Sequence, residues 1–223
     1  VPARDDDQLR RQIVQVCRRL YECGLIAGPE GNVSTRLPDG LVLVTPAGAS
    51  KIDIQEDDLV VVSPGGTLVA GAGRPSSELG MHLRIYARRP DIRAVVHAHP
   101  PLATAFAVAG EDLMQPVLPE IVVQTGGVPL VPYATPGSDA LADALEPFLP
   151  HHDAFLMANH GATTIGPSIS IAHQRMESLE HGARIVFAAR LLGRVTPLTD
   201  AQMRVLLALR SSPGGSGSSA PRA

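Results

Sequence analysis

The chain has 223 residues, 19 Lys and Arg against 22 Asp and Glu, a formal net charge of −3 and 44% hydrophobic residues. That length bounds it to one domain or two small ones, with enough apolar material for a sizeable core. Aromatic residues make up 3% of the chain and tryptophan is absent, which counts against a base-stacking nucleic-acid binder, and the near-balanced charge counts against a broad phosphate-backbone binder.

Residues 5–26 read as a helix, with Leu9, Ile13, Val16, Cys17 and Leu20 recurring at helical spacing, aspartates at its start and Gly24 able to cap it. A turn-rich stretch comes next, in which 41–45 and 59–63 are short apolar runs of the kind found in strands buried on both faces, and 67–69 follows Pro64-Gly65-Gly66 as the second arm of a hairpin. Residues 77–89 read as a helix ended by Pro90, 94–99 as a strand stopped by Pro100-Pro101, and 102–109 as a short helix. Strands are expected over 121–125 and 128–133, and Ser138 caps a helix running to 149. Strands over 154–158 and 162–165 flank Asn159-His160-Gly161, and helices over 169–192 and 199–209 complete the pattern. This interleaving predicts one α/β domain over residues 5–210. Residues 211–223 hold only Ser, Gly, Pro, Ala and one Arg, and are expected to be disordered. The N-terminus reads as no signal peptide, no run of about 18 apolar residues occurs, and the two cysteines, Cys17 and Cys23, fit a reducing compartment. A soluble cytoplasmic protein without membrane or nucleic-acid partners is the expectation.

Histidines carry the chemical signal. His97 and His99 are two apart on a predicted strand, so both imidazoles face one side and can converge on one ion. His160 sits where a strand pattern breaks around a glycine, and three histidines from two strands would match a catalytic zinc site with an open position. The plainer alternative is a set of structural histidines. His151-His152 reads as a solvated loop, and His173 and His181, with Glu177 between them, as a charged, exposed helix face. His82 shares a helix face with Glu78 and is either an orienting partner or a core residue. Glu78 follows Ser76-Ser77 at a helix start, which reads as a cap or as a base beside an anion site. The segments 28–34 and 45–48 are turns whose backbone N–H groups could approach a phosphate. Neither a P-loop nor a dinucleotide fingerprint occurs.

Taken in order, Gly31-Asn32-Val33-Ser34, Thr45-Pro46-Ala47-Gly48, Ser76-Ser77-Glu78, His97-Ala98-His99 and Asn159-His160-Gly161 resemble the class II aldolase/adducin family, most nearly its fuculose-phosphate type. The segment Tyr133-Ala134-Thr135-Pro136-Gly137-Ser138 is similar as well. The resemblance implies a three-layer α/β/α sandwich around a mostly antiparallel sheet, and a homotetramer. It implies that His97, His99 and His160 bind a divalent metal, zinc above manganese or cobalt. Glu78 would be a fourth ligand and then the base. Gly31, Asn32, Gly48, Ser76 and Ser77 would surround a substrate phosphate. The implied reaction is cleavage of a ketose 1-phosphate, such as fuculose 1-phosphate or a short deoxy- or methylthio-pentulose 1-phosphate, to dihydroxyacetone phosphate and an aldehyde through an enediolate. Epimerase, dehydratase or decarboxylase chemistry on the same scaffold is the alternative, and a non-catalytic adducin-like module a further one. Two positions depart from the pattern. Ala47 stands where a hydroxyl residue is frequent and offers only its backbone N–H. Glu120 stands where the fuculose-type enzymes carry a proton-donating tyrosine, and is read as acid, water-orienting or structural.

Overall fold

The computed structural model describes residues 5–210; the stretch 211–223, expected to be disordered, lies outside the described residues. Apolar side chains at helical spacing wind α1 (Asp5–Glu22), which buries Ile13, Val16, Cys17 and Leu20. It stops before the predicted end because Gly24, at φ 67°, turns the chain so that the Leu25 N–H donates back to the Leu20 carbonyl at 2.8 Å. The other helices are α2 (Leu79–Arg88), α3 (Pro101–Val108), α4 (Pro119–Thr125), α5 (Asp139–Leu145), α6 (Ile169–Leu191) and α7 (Asp200–Arg210).

Eight strands form one sheet: β1 (Asn32–Arg36), β2 (Val42–Val44), β3 (Val60–Val62), β4 (Leu68–Ala70), β5 (Ala94–Ala98), β6 (Leu130–Val131), β7 (Ala154–Met157) and β8 (Gly161–Gly166). Their order is β4-β3-β2-β1-β5-β8-β7-β6, and every neighbouring pair is antiparallel except β6 with β7. Alternate residues along each strand face opposite layers. Val33, Leu43, Val61 and Val96 pack with α1, α3 and α6, whereas Val42, Val44, Val60, Val62 and Val95 pack with α2 and α5. The expected mostly antiparallel α/β/α sandwich is the fold observed.

Three expectations change. Residues 32–34, read as the end of a turn, open the strand β1; its polar side chains mask the strand period, yet Asn32, Ser34 and Thr35 are buried. Residues 121–125, read as a strand from their β-branched run, are the helix α4, opened by Pro119 at its first turn and closed by Gly126 at φ 75°. Its Ile121 lies in the space beside Gly182 of α6, where a Cβ would come within 2.7 Å of it. The strand expected over 128–133 contracts to the two residues of β6. The arm after Pro64-Gly65-Gly66 does pair with β3, but as an edge strand whose residues are exposed.

Candidate metal centre

Two periodicities meet at one end of β5. On β1, Asn32 and Ser34 are two apart and face α2; on α2's side, Glu78, His82 and Tyr86 are four apart and face β1. The strand register sets Asn32 opposite His97 on one flank of β5 and Thr163 opposite His97 on the other. His99 lies just past the strand end. His160 reaches the same place from the β7–β8 turn, where Asn159 at φ 54° supplies the sharp reversal that a short amide side chain tolerates. Glycine is required on both flanks. A Cβ at Gly31 would sit 2.7 Å from the His97 carbonyl oxygen, and one at Gly161 would sit 2.5 Å from the His99 ring.

His97, His99 and His160 offer ligand atoms that all lie within 4.8 Å of one another. His97 Nε2 is 3.2 Å from His99 Nε2 and 3.0 Å from Glu78 Oε2, while His160 Nε2 is 3.2 Å from Glu78 Oε1. His97 Nδ1 lies 2.9 Å from the Ala162 carbonyl, which can only accept, so in the neutral ring the Nε2 lone pair faces the cluster. A carboxylate and imidazole lone pairs turned toward one another need a cation among them, and this donor set suits a divalent metal. Glu78 Oε1 is buried without a well-formed hydrogen bond, as a ligand atom would be. Burial opposes ionisation of Glu78, but with protons in place of an ion on the facing imidazoles, the charge and hydrogen bonds of His97 and His160 hold its carboxyl far below the usual carboxylate range. His99, partly buried beside the other histidines, is pushed down to about 4.

The Class II Aldolase and Adducin N-terminal domain matches residues 11–187. The chain belongs to the class II aldolase/adducin family. It is 34% identical to a 3-oxo-tetronate 4-phosphate decarboxylase of Escherichia coli K12 over 189 residues, 83% of this chain and 89% of that protein. It is 33% identical over 199 residues to a 5-deoxy-D-ribulose 1-phosphate aldolase of Bacillus thuringiensis serovar kurstaki, covering 88% of this chain and 92% of that one. Its structure superposes on YgbL from Klebsiella pneumoniae with a TM-score of 0.85 at 37% identity, covering 92% of this chain and 100% of that one.

Around the histidine cluster of this class II aldolase-family chain, the segments expected to cradle phosphate are brought together. Ser76 N–H donates to the Thr45 carbonyl, and Gly137 packs against Ser77, whose carbonyl oxygen a Cβ there would approach to 3.0 Å. Gly48, at φ 74°, and Ser77 are exposed, while Asn32 and Ser76 are buried. The Ala47 N–H is already spent on the Arg74 carbonyl at 2.9 Å, so the one donor expected of that residue is committed within the protein. Glu120 is exposed in the first turn of α4 and bonds to none of the three histidines or Glu78 among the described residues.

Sequence reading missed three features. Glu30 Oε2 lies 3.2 Å from His99 Nδ1, so a carboxylate orients that imidazole from behind. Lys51 is buried, and its ammonium donates to the carbonyls of Pro29 at 3.0 Å and Ala49 at 2.8 Å, tying the turn before Gly31 to the turn after Gly48. A lone lysine in a turn carries no signal of this. His173 is buried rather than exposed, with Nδ1 3.8 Å from Glu177, whose carboxylate binds Arg19 of α1 at 2.8 Å; of the pair His173 and His181, the second is exposed as expected. Cys17 is buried on α1 and Cys23 exposed, both as free thiols. No described helix is long and apolar enough to cross a membrane.

Proposed function

We propose that the protein is a metal-dependent lyase acting on a small sugar phosphate. It breaks the bond between the carbon next to a carbonyl and the carbon beyond it. The convergence of His97, His99 and His160 on the Glu78 carboxylate carries this reading. A divalent ion there, zinc above manganese or cobalt, would supply Lewis-acid stabilisation of enediolate charge. Gly31, Asn32, Gly48, Ser76 and Ser77 hold the phosphate, and Glu78 exchanges a proton with the enediolate carbon. The intact donor set argues against a non-catalytic adducin-like role. By the same family resemblance we propose a homotetrameric, cytoplasmic enzyme whose residues 5–210 form one domain.

Two departing fragments leave the same enediolate. A 3-oxo acid phosphate loses carbon dioxide; a ketose 1-phosphate loses an aldehyde. Retro-aldol cleavage needs a group to take the hydroxyl proton of the departing half, whereas carbon dioxide leaves with no proton to remove. The residue standing in the tyrosine's place, Glu120, is an exposed carboxylate in the first turn of α4 and makes no bond to the cluster among the described residues. Together with the decarboxylase relative, this favours decarboxylation. Ketose 1-phosphate cleavage is the second reading, supported by the likeness to a 5-deoxy-D-ribulose 1-phosphate aldolase. Metal-loaded protein given 3-oxo-tetronate 4-phosphate is expected to release carbon dioxide and dihydroxyacetone phosphate. Release of an aldehyde from ketose 1-phosphates instead would move the assignment to the second reading. Inertness toward both classes with metal bound would refute both.

A further inference from the structure

A chain of hydrogen bonds runs inward from α2 to Glu78, and its direction is forced one link at a time. A carboxylate only accepts, so the contact of Asn32 Nδ2 with Glu78 Oε2 at 2.9 Å is donated by the amide. That turns Asn32 Oδ1 toward His82 Nε2 at 2.5 Å, and since an amide oxygen only accepts, His82 Nε2 carries a proton. His82 is fully buried, and burial pushes it down to about 3, so it is neutral and holds one proton. Its Nδ1 therefore accepts from the Ser34 hydroxyl at 2.7 Å, and Ser34 Oγ, its hydrogen spent, accepts from the Tyr86 hydroxyl at 2.7 Å. Asn32, Ser34, His82 and Tyr86 are all buried, so water does not compete for these links.

We propose that His82 is the positioning residue for Glu78, acting through Asn32. With its proton on Nε2, His82 holds the Asn32 amide in the one orientation that presents N–H to Glu78 Oε2, leaving Oε1 facing His160 and the cation that the cluster would hold. Reversal of the amide would set its oxygen against the carboxylate. One Asn32 N–H serves Glu78, and Asn32 is itself among the residues proposed to hold the phosphate, so the same amide couples the base to that site. The role in proton transfer rests on the lyase reading, but the geometry and its effect on metal binding do not.

The test uses the full chain, apo and Co2+-loaded, with His82→Leu, His82→Gln, Asn32→Ala and the His82→Leu/Asn32→Ala double variant. Competition with a chelator gives Co2+ affinity, and the visible spectrum of bound Co2+ reports its coordination. His82→Leu and Asn32→Ala are each expected to weaken Co2+ binding about 10- to 100-fold and to change the spectrum alike. The double variant should lose no more than either single one, and His82→Gln, which keeps a donor, should recover part of the loss. Additive losses, or a wild-type spectrum and affinity in folded His82→Leu, overturn the proposal. Should His82→Leu fail to fold, the wild-type protein still decides: long-range 1H–15N correlation is expected to show His82 neutral and protonated on Nε2, and a proton on Nδ1 refutes the relay. These measurements need no substrate, so they stand apart from whether either lyase reaction is found. With activity in hand, His82→Leu is expected to lower kcat while KM stays within about threefold, the pattern of a lost transition-state interaction.

Discussion

Glu78 is pulled two ways. Burial disfavours its charge, while the imidazoles of His97 and His160 favour it strongly enough to keep the carboxylate ionised. A carboxylate so held beside an enediolate can pass a proton to and from carbon. Glu78→Gln should therefore keep substrate affinity within a few-fold and lower kcat by about 10²–10⁴. It should also abolish deuterium exchange into dihydroxyacetone phosphate; undiminished exchange would remove Glu78 as the base. The histidines were legible in the sequence because strand period alone puts His97 and His99 on one side, and a glycine-broken turn marks His160. The side-chain partners of Asn32, Glu30 and Lys51 were not, because each is set by a segment distant in the chain that only the fold brings close: Glu78, His99 and Pro29 respectively.

At the scale of elements, the histidine strand is anchored through the helix at its C-terminal end. The chain leaves β5 through His99 and Pro100 into α3, and the N–H groups of that helix's first turn, which have no partner within the helix, are met by a carboxylate from α6. Glu180, 2% exposed, accepts from Leu102 N–H and Ala103 N–H, each at 3.0 Å, and binds Arg184 at 2.8 Å. Glu180→Ala is expected to cost about 1–3 kcal/mol, because buried donors lose a charged acceptor. Glu180→Gln, which keeps an oxygen, should cost less; urea unfolding measures both. The elements that sequence reading misjudged fail for physical reasons. β1 carries polar side chains inward because α2 presents polar partners there, so hydrophobic alternation is absent. In α4 the β-branched run favours a strand, but Pro119, Gly126 and packing on α6 decide for a helix. Helices with a clean apolar stripe, such as α1, and strands with aliphatic runs, such as β2 and β3, were legible within a few residues.

For the whole molecule, stability rests on two aliphatic clusters, one on each side of the sheet. A metal held by the histidine cluster would add to them rather than replace them. Stripping metal with a chelator should leave the far-ultraviolet circular dichroism unchanged and lower Tm. Restoring Zn2+ at about 1,000 times its Kd should return about 4 kcal/mol of apparent stability. Loss of secondary structure on chelation would show instead that the fold depends on the ion. The strand order has a further consequence. β1, β5 and β8 lie in the middle of the sheet, while the three-residue β4 and two-residue β6 close its edges. Opening of a sheet begins at its margins, where few contacts must break. A fray or proteolytic nick at β4 therefore leaves the histidines in register, and escape of the ion by unfolding must wait for rupture of the central strands. The three histidines sit in the last part of the sheet to come apart, so a chain damaged at its periphery would keep whatever ion they hold.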